Sequence, residues 1–140
     1  MATINATVTI GSDIMSGVNI SNTMTMTKAG TNNGLDSTTG LNVKTVQTTT
    51  AFKLFGNAEA TTLKASKVYI RNTGSSATDF FYIGFGEDLA AATVETIGRL
   101  YGSDWMLIPW DAVAATTHDI YAKASTAESA MTLEFIAFTE

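Results

Sequence analysis

Alternation with a period of two is the feature that most constrains how this chain folds. Ile4, Ala6, Val8 and Ile10 alternate with Thr3, Asn5, Thr7 and Thr9. Val18, Ile20, Met24 and Met26 alternate with Asn19, Ser21, Thr23, Thr25 and Thr27, and Asn22 interrupts the apolar row once. Successive side chains of a β-strand point to opposite faces, so each run has one apolar and one hydroxyl face. Threonine suits the hydroxyl face because its branched Cβ is stiff and packs well on a pleated surface. Neither run repeats apolar residues at i, i+3, i+4 and i+7, as an amphipathic helix requires.

Turn residues divide the remainder. The segments at 29–34 (AGTNNG) and 38–40 (TTG) read as loops. Apolar and β-branched runs at 41–46, 51–55, 68–72, 79–85, 105–110, 118–124 and 130–138 read as strands. The stretch 57–64 reads as a loop or a turn of helix, and 87–98 as a loop with at most one helical turn. The strands at 68–72 and 79–85 flank a polar tip and read as a hairpin. Pro109 marks the end of the 105–110 strand as an edge or a terminus. About nine strands at short spacing predict an all-β fold, an antiparallel β-sandwich of jelly-roll or immunoglobulin-like topology. The length fits one domain over residues 1–140, with residues 1–15 able to act as an N-terminal arm. Both tryptophans, all four tyrosines and most phenylalanines lie beyond residue 57. The expectation is one sandwich whose aromatic core comes from late strands, in preference to a C-terminal core preceded by an arm that packs on a neighbour.

Composition narrows the function classes. Charged residues make up 15% of the chain, against an average of about 25%. The 24 threonines fill much of the gap. Interface cores are depleted of charge in the same way, and low surface charge eases association. The net charge is −5, and no two of the eight Lys and Arg residues are adjacent. Binding to nucleic acid or to a membrane surface, which needs basic clusters, is therefore not expected. The absence of cysteine excludes a disulfide framework, a thiolate zinc site and a cysteine nucleophile. It suits assembly in a reducing cytoplasm. The first residues lack the basic and apolar regions of a signal peptide, and no apolar run approaches the length of a membrane span.

Catalytic chemistry finds little support. His118 is the sole histidine, and its neighbour Asp119 would point to the opposite side of a strand, where it could not orient the imidazole. Glu87, Asp88 and Glu95 share one loop, with no groove to make a glycosidase pair of them. Asp79, Glu87 and Asp88 offer oxygens to calcium but without EF-hand spacing, and read better as solvated carboxylates. Gly84-Phe85-Gly86 lacks the third glycine and the helix of a phosphate cradle. The chain is read as non-enzymatic, with no catalytic, metal or cofactor-binding residue. The aromatics carry more weight. Phe81, Ile83 and Phe85 would face a core, and Phe80 and Tyr82 the other way. The candidate interface residues are Phe80, Tyr82, Trp105 and Trp110, with Ile4 and Val8 from the first strand; loop-capped packing and sugar stacking are the alternative uses of exposed rings.

Residues 66–140 resemble a sequence pattern of tailed-bacteriophage virion proteins. A Val-Tyr-Ile-Arg-Asn-Thr strand (Val68 to Thr73) leads into a Gly/Ser/Thr tip, and a second strand follows at Asp79 to Gly84. Then come Leu100-Tyr101-Gly102-Ser103-Asp104-Trp105-Met106-Leu107-Ile108-Pro109-Trp110, the run Asp119 to Ala124, and a last strand from Met131 to Phe138. Small head-decoration (cement) proteins and tail proteins end in this way. The resemblance implies a homo-oligomeric β-sandwich, dimer or trimer, that binds between subunits of the major capsid protein on the outer surface of the head. Interfaces of about 1,600 Å², repeated over many copies, would stabilise the shell by multivalency. It carries no functional residue to particular positions. The alternative it leaves open is a tail or fibre component with a glycan- or receptor-binding role.

Overall fold

In a computed structural model, residues 4–12, 14, 19–28, 30–59, 64–89, 95–111, 118–127 and 129–140 are described. They form eleven strands and a 3₁₀ turn: β1 (Asn5–Gly11), β2 (Asn19–Thr25), β3 (Ser37–Thr38), β4 (Asn42–Val46), β5 (Phe52–Phe55), the turn Asn57–Glu59, β6 (Ser66–Asn72), β7 (Phe80–Phe85), β8 (Thr96–Tyr101), β9 (Trp105–Pro109), β10 (Ile120–Ala124) and β11 (Met131–Thr139). The fold is an all-β antiparallel sandwich. Two strands exceed the expected nine. β3 is a two-residue pairing inside a polar segment, and β8 is disguised by Gly98 and by a bulge at Ile97, which spoil its alternation. Residues 60–63 and 90–94, where a loop or a helical turn was the reading, lie outside the described residues.

The pairing pattern is nested. β7 pairs β8, β6 pairs β9, β5 pairs β10 and β4 pairs β11, all antiparallel. The chain from β4 to β11 is thus one long double-stranded ribbon, folded back at the β7–β8 turn. Rolling that ribbon brings β6 against β11 and β7 against β10. The result is two sheets, ordered β4-β11-β6-β9 and β5-β10-β7-β8, with β3 on the β4 side of β11. This is the jelly-roll arrangement, and it decides between the two topologies left open by strand count. It also corrects the expected hairpin of residues 68–72 and 79–85. Their strands, β6 and β7, lie in opposite sheets, and residues 73–79 cross the roughly 10 Å between sheets.

The core lies between the inner faces. Val46, Val68, Ile70, Met131, Leu133, Phe135 and Ala137 come from one sheet, and Leu54, Phe55, Phe81, Ile83, Leu100, Ile120, Ala122 and Ala124 from the other. Phe55 meets Phe135 edge-on across the gap, with centroids 5.5 Å apart. Two adjacent residues, Leu54 and Phe55, are both buried because the β5–β10 register shifts there. On the sheet edge, four steps from Thr38 to Asn42 face three from Phe138 to Phe135. Gly40, at a φ of 74°, takes up the extra residue. Pro109 ends β9 at a sheet edge, where a missing N–H leaves no ladder incomplete.

The N-terminal strands do not join the sandwich sheets, contrary to the reading that they would. Among the described residues β1 and β2 pair only with each other, from Asn5 opposite Thr25 to Gly11 opposite Asn19. The connection onward is pinned. Met26 N–H donates to Ile4 O, Leu35 N–H donates to Met26 O, and both side chains are buried. Lys28 bridges Asp36 at 2.7 Å over the same segment.

Candidate interaction surfaces

Three surfaces carry the side chains singled out above. The first is the outer face of β10-β7-β8. Phe80 and Tyr82 alternate outward from the buried Phe81 and Ile83. Cross-strand pairing sets Tyr101 beside Phe80, and Arg99 and Lys123 on either side of Tyr82. Phe80 packs edge-on to Tyr82 at 4.9 Å and against Tyr101 at 5.0 Å. The Arg99 guanidinium lies 4.9 Å from the Phe80 centroid and 5.5 Å from that of Tyr82. A hydrogen bond to Tyr101 raises the Arg99 pKa above its ordinary value, and the charges of Tyr82 and Tyr101 add to it. These rings are half-buried, steeply inclined to Phe80 at 82° and 50°, and flanked by a cation, so they form a packed cluster and not a flat platform for a sugar.

The second surface is the outer face of β11-β6-β9. Register places Glu134 opposite Arg71, and Arg71 opposite Trp105. Glu134 Oε1 accepts from Arg71 at 3.3 Å and from the Tyr69 hydroxyl at 3.5 Å. Burial raises the Tyr69 pKa, and the Glu134 carboxylate raises it further. Tyr69 lies beside Trp105, centroids 6.2 Å apart and planes 33° apart, and Trp105 is 47% exposed. β1 runs past this face. Ala6, Thr7 and Val8 close a cleft of about 490 Å³ against Tyr69, Arg71, Ser103, Trp105 and Leu107. Ser103 holds a φ of 70°, a left-handed conformation that costs a non-glycine residue energy. On the far side of the same sheet, Val43 is 65% exposed, with Leu41 bare beside it.

The third surface is the β1–β2 hairpin. Its hydroxyl face is knitted by Thr7 to Thr23 at 2.7 Å and Thr25 to Asn5 at 2.9 Å. On its other face Ala6 and Val8 are half-buried, while Ile10, Ile20 and Met24 are each 41–49% exposed. The first 27 residues hold a single charged side chain, Asp13.

The expected interface residues therefore separate. Phe80 and Tyr82 share the first surface, Trp105 and Val8 meet at the cleft, and Ile4 is half-buried at the root of the hairpin. Trp110 is a correction: it is 4% exposed, packs against Phe55 at 5.8 Å, and donates its indole N–H to His118 O at 2.8 Å. Sequence reasoning missed Ile20, Met24, Leu41 and Val43, although each stands in an alternating row that could have flagged it. His118 and Asp119 do go separate ways. The imidazole Nδ1 meets Asp111 O at 2.8 Å, and the buried Asp119 carboxylate lies 2.5 Å from Lys53 Nζ. Asp79 and Glu87 flank opposite ends of β7 and cannot share a cation; Asp79 accepts from Ser129, and Glu87 from Tyr121. Among the described residues no group of three His, Cys, Asp or Glu is placed to hold a metal ion, and no helix is long and apolar enough to cross a membrane. No protein-family model, curated protein or solved structure matches the chain.

Proposed function

We propose that this chain is a structural protein of a tailed-bacteriophage virion, a head-decoration protein that sits on the outer surface of the shell between subunits of the major capsid protein. The observation that carries the reading is where its bare apolar side chains lie. Among the described residues eight large hydrophobic side chains are exposed; Ile10, Ile14, Ile20 and Met24 belong to the N-terminal hairpin, and Leu41, Val43 and Trp105 to one sheet face and its edge. Apolar side chains scattered singly over a surface need no explanation, but clustered ones mark association sites. The jelly roll recurs in viral capsid and lectin domains; it hosts many functions, so it supports the reading without deciding it. The C-terminal sequence pattern points to the virion as the place of assembly, and the acidic balance suits an outer surface, away from packaged DNA.

A second reading, a tail or fibre component that binds glycans, draws on the Trp105 cleft. Its volume falls within the usual range for ligand sites. It offers an exposed indole beside donors and acceptors on Arg71, Glu134 and Tyr69. Immunogold labelling of phage particles from the source culture, with antibody raised against this chain, separates the two. Gold over the heads is the expected result. Gold confined to tails, or none on the particles, contradicts the decoration role.

A further inference from the structure

We infer that Lys53 and Asp119 are the two halves of an internal amide crosslink, formed by the chain itself, that fastens the edge strand β5 to β10. The inference goes beyond the assembly reading and does not depend on where the chain assembles. Register sets the pair up. Lys53 lies opposite Tyr121, and the pairing shifts between Ile120 and Tyr121. Asp119, just before β10, stands within diagonal reach of the long lysine stem. Lys53 Nζ is 2.5 Å from Asp119 Oδ2, with the aspartate side chain 1% exposed and the lysine 45%. The same Nζ lies 5.7 Å from the centroid of the Tyr121 ring. A second observation marks the same spot. A Cβ added at Gly56 would lie 3.2 Å from Lys53 Cδ, 3.4 Å from Glu59 Oε2 and 3.5 Å from Asp119 Oδ1. An amine stem and two carboxylates thus converge on one point, and glycine leaves room for them. Glu59 is held there by the Gly56 N–H, which donates to its Oε2 at 2.6 Å.

The step balances without a co-reactant. One proton of the Lys53 ammonium passes to the Asp119 carboxylate, directly or by way of Glu59. The freed amine lone pair attacks Cγ, a C–N bond forms and one C–O bond breaks. The departing hydroxyl leaves as water with one of the two protons still on the nitrogen. An ammonium and a carboxylate become a neutral amide, so the net charge of −5 is unchanged. Proximity favours the reaction, because groups held in contact react as if at concentrations far above any in solution. Burial favours it too, since a carboxylate out of water is costly even when paired, and an amide is less so. The hydrogen bond to Asp119 raises the Lys53 pKa, against the opposing effect of burial. The neutral amine is therefore scarce and the step is slow. The ion pair is the state from which the bond forms, and alkaline titration of Lys53 belongs to chains still unlinked. Among the described residues β5 pairs only with β10, so the crosslink would carry any pull on that edge through covalent bonds.

Intact-mass spectrometry of the full chain tests this, fresh from purification and after prolonged incubation at neutral pH. The wild type should come to weigh one water less than its sequence requires. A tryptic digest of that species should contain one branched peptide carrying both Lys53 and Asp119. Lys53→Arg keeps a cation beside the buried carboxylate but has no amine to acylate, and should hold its full sequence mass throughout. Asp119→Ala should do the same. Because the wild-type mass is read by itself, the test does not depend on either variant folding. A wild type that keeps its full sequence mass after incubation overturns the inference. So does a missing water that fragmentation traces to other residues, or one that Lys53→Arg loses as well.

Discussion

Asn72 shows how single side chains hold the crossing loop. It is buried at the end of β6, where the chain leaves one sheet for the other. Its Nδ2 donates to Leu100 O at 3.0 Å, and its Oδ1 accepts from Gly74 N–H at 3.0 Å. Its backbone bonds Asp104 and Ser103 in the β8–β9 turn. One amide thus joins the tip after β6 to a turn brought close only by the fold. Asn72→Ala leaves a buried carbonyl and a partly buried N–H without these partners, and should cost about 2–3 kcal/mol in urea unfolding. Asn72→Asp should cost at least as much, because it replaces the donor to Leu100 with a carboxylate oxygen. Nothing in the local sequence announces this role, since Asn-Thr-Gly-Ser-Ser is an ordinary turn composition. The parity of Phe80 to Phe85, by contrast, was readable, and Phe81 and Ile83 are fully buried as alternation demands.

Strands were legible as elements where alternation is clean, and their partners were not. Alternation states which residues share a face, but strand order depends on the ribbon folding back between β7 and β8 and then rolling. Adjacent strands with a polar tip look like a hairpin whether or not they pair, which is why β6 and β7 were misjoined. β8 was hidden by the bulge that interrupts its pairing with β7. There Gly84 passes so close to the facing strand that an added Cβ would lie 2.1 Å from Glu95 O and 2.7 Å from the Leu89 side chain. Backbone must then move, so Gly84→Ala should destabilise by about 1–3 kcal/mol. Gly98, one strand over, has nothing within 4 Å of an added Cβ. Gly98→Ala should leave stability within about 0.5 kcal/mol of the parent. Comparable losses in the two variants would contradict the bulge geometry. The hairpin was visible as two alternating runs, but its separation from the sandwich was not, because a local pattern does not say which sheet a strand joins.

For the molecule as a whole, charge sets where stability and association change with pH and salt. Lys53 has a raised pKa, chiefly through its hydrogen bond to Asp119, and Tyr69 has one raised by burial. Both groups hold their protons more tightly folded than unfolded. Their contributions are complete below about pH 10 and are lost as pH climbs through the raised values. Chemical-denaturation midpoints should therefore fall on the alkaline side. The fall should be smaller in Lys53→Met, which keeps most of the stem and removes the titrating amine. An equal fall in that variant would show that Lys53 plays no part. Sites of association follow the opposite logic, because the proposed contacts are apolar and all copies carry the same net charge. Salt screens the repulsion and leaves the apolar burial in place. Sedimentation velocity of the wild-type chain from about 0.05 to 1 M sodium chloride reads this directly. The expected result is self-association that holds or strengthens as salt rises. A monomer at every salt concentration, or an oligomer that dissociates as salt is added, would contradict assembly through uncharged apolar surfaces.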